Sequence, residues 1–109
     1  MKLRIQKINE LLKQEIGSLI SKELDFNRDT LITITEVKTS PDLISAKVKI
    51  SVLPTFKSEQ VLRVINSQIF NLQKLLYAKL KMKIIPKIKF ELDVSHEKFD
   101  RINQLIKKK

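Results

Sequence analysis

From Ser45 to Leu53 the sequence alternates without a break, with Ala46, Val48, Ile50 and Val52 on one side and Ser45, Lys47, Lys49 and Ser51 on the other. Side chains of an extended strand point alternately to opposite faces, so this stretch predicts a strand covered on one face only. Such a strand needs neighbours in a sheet and a helical layer over its apolar side. The flanking sequence offers both. Leu31 to Lys38, rich in Ile, Thr and Val, predicts a strand before it. Ser40, Pro41 and Asp42 between the two supply a turn, since Pro fixes φ while Ser and Asp side chains bond nearby amides. Asp42 is therefore read as a turn cap and not as a catalytic carboxylate. Lys87 to Asp93 alternates again, with Ile88, Phe90 and Leu92 inward, directly after Pro86, which cannot continue a helix.

Helical periodicity fills the remainder. Ile5, Ile8, Leu12, Ile16, Leu19 and Ile20 form one stripe of an amphipathic helix over about Leu3 to Leu24, with Gly17 inside it. Asp25, Asn27, Arg28 and Asp29 form a polar loop. A second helix, N-capped by Ser58, is expected from Glu59 to about Lys83, where Leu62, Ile65, Ile69, Leu72, Leu76 and Leu80 recur at spacings of three and four. It is either about six turns long or bent. Ser95 caps a last short helix whose buried stripe is Phe99, Ile102, Leu105 and Ile106, and Lys107 to Lys109 suit its C-terminal end.

The predicted order is helix, strand, strand, helix, strand, helix, an α+β domain spanning residues 1–109. The tight turn makes the first two strands antiparallel, and the long helical connection permits a parallel third strand. Helices pack on one face of the three-stranded sheet and leave Lys47, Lys49, Lys87 and Lys89 on the other. No stretch approaches the roughly 18 to 20 apolar residues of a membrane span, and charges interrupt the N-terminus too often for a signal peptide. A monomeric cytoplasmic protein is expected.

Lys plus Arg total 22 against 12 for Asp plus Glu, a net charge of +10, so a polyanion is the expected partner. The excess is segregated: residues 43–90 hold ten basic side chains against Glu59 alone. Only four of the basic residues are Arg, and Lys meets phosphate as a point charge without reading base edges in bidentate fashion. Composition also excludes much chemistry. One Gly cannot build a phosphate-cradling loop, and without Cys and with one His there is no thiol nucleophile and no Cys/His zinc site. His96 among Asp93, Ser95 and Glu97 reads as a helix-start residue rather than a metal or hydrolytic cluster. No cofactor and no enzymatic activity are expected.

On the second helix the side opposite the apolar stripe collects Arg63, Ser67, Asn71, Lys74, Ala78 and Lys81. Arg63, Lys74 and Lys81, with neighbouring Lys83, are the preferred phosphate contacts, and the sheet lysines Lys47, Lys49, Lys87 and Lys89 are the competing surface. Phe56 either stacks on a base or covers the core edge, and the second is expected. A DNA-binding module would explain only the charge, because no recognition-helix pattern accompanies it. A membrane-surface helix would use exposed aromatics that the cationic face lacks.

The order of elements resembles a type II KH domain, and the residues resemble the bacterial ribosome-binding factor A family over almost the whole chain. The most specific stretch is Thr33 to Leu53, with a strand, a Ser-x-Asp-Leu turn at Ser40 to Leu43 and an Ala-Lys-Val strand at Ala46 to Val48. Arg4 and Ile8, the loop Asp25 to Arg28, the run Leu80 to Phe90, and Asp93-Val94-Ser95 followed by Arg101 and Ile102 add to it. One departure stands out: Gln68, Ile69 and Phe70 occupy the family's Ala-x-Gly bend, and Gln73 stands where an Arg is common. Either Asn66 to Asn71 bends by another route or the helix is straighter than usual. The resemblance implies a non-enzymatic assembly factor that binds the free or immature small ribosomal subunit and its RNA. It further implies help in maturing the 5′ end of that RNA, often in cold adaptation, with assembly GTPases as further partners. A general KH-like RNA-binding protein is the alternative.

Overall fold

The computed structural model describes residues 2–26 and 28–93. The alternating segment is β2 (Ser45–Leu53), the middle strand of a three-stranded sheet ordered β1-β2-β3, with β1 at Leu31–Thr39 and β3 at Lys87–Leu92. β1 pairs antiparallel with β2, and β3 pairs parallel to it. The helices are α1 (Lys2–Glu23), α2 (Ser58–Ser67) and α3 (Ile69–Lys79), and a short 3-10 turn at Thr55–Lys57 precedes α2. The expected last helix and its residues, His96 included, lie outside the described residues.

The core confirms the one-sided sheet. Ala46, Val48, Ile50 and Val52 are buried, facing Ile88 and Phe90 from β3 and Ile34 and Val37 from β1. Over them lie Leu12 and Ile16 of α1, Ile65 of α2, and Leu72 and Leu76 of α3, each 1% exposed or less. α1 sits over β1 and beside α3, while α2 crosses β2 and β3. Burying one such side chain stabilises the fold by roughly 1.5–3 kcal/mol, so this single layer contact holds the domain together.

Local chemistry fixes the turn between β1 and β2. The Ser40 hydroxyl and the Ile44 amide both donate to Asp42 Oδ1, and the Ser45 amide donates to Ser40 Oγ at 3.1 Å. The two bonds to Asp42, that from the Ser40 hydroxyl first and that from the Ile44 amide second, hold its carboxyl below the usual carboxylate range. Leu43 takes φ 63, a left-handed conformation that the capped turn imposes on a residue with a Cβ. The Ile44 carbonyl then accepts from the Lys87 amide at 2.9 Å, so the same turn marks where β3 begins.

Of the two forms left open for the second helix, the bent one is present, as α2 and α3 meet at Gln68, which leaves helical geometry at φ −107 and ψ 10. Two expectations need correction. The helical stretch stops at Lys79, short of Lys83. Leu80 is extended at ψ 126 yet 7% exposed, so it stays in the core while the chain turns toward the parallel β3. Ser58 is not an N-cap: it lies inside α2 and is buried, and its amide donates to Thr55, so the 3-10 turn serves the helix start in place of a side chain.

Gly17 shows no conformational need for glycine. A Cβ there would meet only Ile34 Cδ1 at 3.7 Å, an ordinary van der Waals contact. Gly17→Ala should therefore raise stability by up to about 1 kcal/mol through helix propensity and a smaller unfolded-state entropy. Urea denaturation would show this as a higher midpoint at unchanged slope, and a lower midpoint would mean that the added methyl group crowds Ile34 after all.

Candidate nucleic-acid interface

Pairing registers place the outward residues of the sheet in rows. Lys47 of β2 stands opposite Lys38 of β1 and Lys89 of β3, so three ammonium-bearing side chains cross the sheet in one line. Ser45 and Lys87 form the next row toward the β1–β2 turn. Lys38, Lys47, Lys87 and Lys89 are all exposed. One pleat the other way the row is Glu36, Lys49 and Glu91, and Lys49 Nζ approaches Glu36 Oε2 at 4.0 Å. Of the four sheet lysines singled out by sequence, three thus belong to a patch with no acidic partner among the described residues, and Lys49 lies between acids. Lys38 joins the patch, although the sequence pattern did not single it out. Its placement depends on a bulge: Ile34 pairs with Ile50 and Glu36 with Lys49, leaving Thr35 as an extra residue that flips the phase of β1. Thr35 uses its freed hydroxyl to reach Asp93 at 2.6 Å.

The helical side carries the other candidates, but less compactly than a continuous helix would. Arg63 of α2 and Lys74 of α3 are exposed on either side of the kink at Gln68. Lys81 and Lys83 follow α3 and are not on it. Lys83 instead joins Arg4 and Lys7 around a groove floored by Ile8, Leu11 and Met82. Glu59, exposed one turn before Arg63, offsets part of the charge on α2. Lys79 lies 3.7 Å from Glu15 of α1.

Two rings change the character of this side. Phe70 is 85% and Tyr77 52% exposed, and with Lys74 they fall at i, i+4 and i+7 along one face of α3. The expectation that the cationic helix face lacks aromatics is therefore wrong. At 100° per residue Phe70 and Tyr77 both fall within about 60° of Lys74, so the spacing alone already put the two rings on this face. Phe56 is likewise 82% exposed and does not cover the core edge, with Lys57 Nζ 6.0 Å from its ring centroid. Lys57 is held away from solvent by Asp29 at 2.9 Å, a bond that lowers the Asp29 carboxyl below its usual range.

The bend itself arises without glycine. The Ser67 hydroxyl donates to the Val64 carbonyl at 2.6 Å, a back-bond that bends helices, and the Gln68 amide closes on Ile65 at 3.1 Å. α3 then starts from the Gln68 carbonyl, which accepts from the Leu72 amide. Gln73 faces β3 and pairs with its backbone: Nε2 donates to the Pro86 carbonyl at 3.1 Å and Oε1 accepts from the Ile88 amide at 2.9 Å. Among the described residues no group of His, Asp and Glu is placed to hold a metal, and no helix is long and apolar enough to cross a membrane.

Comparison with known proteins follows the same lines. The family model of ribosome-binding factor A matches residues 4–106. The chain is 34% identical to ribosome-binding factor A of Chlorobium phaeobacteroides, covering 98% of this chain and 94% of that protein. It is 36% identical to that of Thermodesulfovibrio yellowstonii, covering 95% and 88%. The crystal structure of ribosome-binding factor A from Thermus thermophilus superposes with a TM-score of 0.71 at 20% identity, over 81% of this chain and 94% of that one. A homology model of the Thermus thermophilus factor, fitted into a cryo-EM map of its complex with the 30S subunit, gives 0.68 at 22% identity, over 79% and 91%.

Proposed function

The chain belongs to the ribosome-binding factor A family, and from that premise we propose that it is an assembly factor of the small ribosomal subunit. It binds the free or immature particle through ribosomal RNA and assists maturation of the RNA 5′ end, acting as a cytoplasmic monomer without chemistry of its own. Assembly GTPases are the partners expected to act on its release, and cold growth is the condition expected to need it most.

The observation that carries this reading is the family match over residues 4–106 on a domain whose uncompensated charge is mostly Lys. Lys holds RNA by its phosphates, as a factor that recognises a folded particle rather than a short sequence must do. Arg63 and Lys74 supply such contacts on the helical side, with Lys81 and Lys83 from the following loop. Phe70 and Tyr77 beside Lys74 add faces on which unpaired bases can stack.

The test is cosedimentation of the purified chain with free small subunits, free large subunits and complete ribosomes. Association with the free small subunit alone is expected, and it should weaken as salt rises. Equal association with all three particles would leave only a general RNA-binding protein, and none would end the reading.

A further inference from the structure

The lysine row on the open sheet face is costly in the free protein. Neighbouring strands lie about 4.8 Å apart, and like charges directly opposite on one face destabilise a sheet. Here Lys47 has a lysine opposite it on both sides, and Lys87 stands one row away. Among the described residues the acids one pleat distant make no ion pair with the row: Glu36 reaches Lys49 at 4.0 Å, Glu91 stands opposite Lys49, and the nearest acid at the turn, Asp42, is bound to Ser40 and to the Ile44 amide. None of the described helices covers this face, because all three pack on the other.

We infer that the row Lys38–Lys47–Lys89, with Lys87, is a second RNA site that grips the phosphate backbone of a paired RNA segment. The proposal rests on the reading of the chain as an RNA-binding factor and adds both a surface and a substrate class to it. Positive charge selects a polyanion, and the rest of the face decides which kind. Sheet faces that bind single strands stack bases on exposed rings, and the outward positions of these three strands carry none. Its outward positions are Lys, Ser, Thr and Glu, with Leu31 and Leu53 at one end, so the face can hold a backbone and not a splayed base. The acidic row also sets direction. A phosphate chain running along the strands would meet Glu36 and Glu91 within one pleat, so it crosses the strands along the lysine row. This face lies opposite α2 and α3, so one molecule holds a paired segment on its sheet while its helices meet another part of the RNA.

The experiment measures binding of the full chain to a generic RNA duplex of about 20 base pairs by fluorescence anisotropy over a range of salt. The parent is compared with Lys47→Gln/Lys89→Gln and with Lys13→Gln/Lys22→Gln, a control that removes the same charge from exposed positions of α1. Two lost phosphate contacts should flatten the slope of log K against log salt by roughly 1.5–2 units in the sheet variant. The control variant should keep the parent slope. Thermal melting should show the sheet variant no less stable than the parent, and Lys38→Gln, read as one lost contact, stands in if the double variant does not fold. An unchanged slope in folded sheet variants overturns the inference, whatever the cosedimentation result. Duplex binding lost in the sheet variant, from a chain that ignores free small subunits, would support the site while overturning the ribosomal reading.

Discussion

Replacing Leu76 by Gly should destabilise the domain by about 3–6 kcal/mol, whereas the same substitution at Phe70, six residues earlier on α3, should cost about 1 kcal/mol or less. Leu76 has no exposed surface and sits against Ile65, Leu72 and the inner face of the sheet. Its removal leaves a core cavity worth roughly 2–5 kcal/mol, to which glycine in a helix interior adds about 1. Phe70 is 85% exposed in the first turn after the kink, so only the propensity term remains there. Urea denaturation of both variants decides the matter. Equal losses would mean that Phe70 is packed and that α2 and α3 form one straight helix. Phe70→Gly should also weaken small-subunit binding without changing its salt slope, since a lost stacking ring releases no counterions.

Much of the fold was legible because strand alternation and burial coincide. Every apolar residue on the inner side of Ser45 to Leu53 is buried, and the antiparallel hairpin, the parallel third strand and the turn role of Asp42 all appear as expected. What escaped depends on register and on backbone geometry at single residues. The bulge at Thr35 was visible only as a change of phase, Ile32 and Ile34 giving way to Val37. Missing it hid Lys38, whose charge also cancels against nearby acids when segments are summed. The bend at Gln68 was legible only as one of two alternatives, because Ile65, Leu72 and Leu76 keep helical spacing across it. No Gly or Pro marks the end of α3, and Leu80 still fits the stripe after leaving the helix. Lys81 was therefore placed on a face it does not share, and Lys83 beside Lys74 rather than with Arg4 and Lys7.

Gln73→Ala should destabilise the domain by about 2–4 kcal/mol, a large effect for a polar side chain in this fold. β3 is an edge strand, and on the side away from β2 its backbone has Gln73 as a partner in place of another strand. The carboxamide supplies one donor and one acceptor, the same pair a peptide group would supply. Pro86 is buried and Ile88 is 2% exposed, so truncation leaves a carbonyl and an amide poorly hydrated, at roughly 1–3 kcal/mol each. Chemistry at this position separates the two bonds. Gln73→Glu retains the acceptor for the Ile88 amide and loses the donor to Pro86. Gln73→Arg can donate to the Pro86 carbonyl but offers the Ile88 amide nothing. Hydrogen exchange of the Ile88 amide should therefore lose protection in the Ala and Arg variants and keep it in the Glu variant, while denaturation shows all three below the parent. A stability within about 0.5 kcal/mol of the parent for Gln73→Ala, with Ile88 still protected, would mean that β3 holds its edge without α3. Because Lys87 and Lys89 flank Ile88, the same bond pair sets how β3 presents its two lysines beside Lys47. The Ala and Arg variants should accordingly bind duplex RNA less tightly than the parent, under conditions where they remain folded.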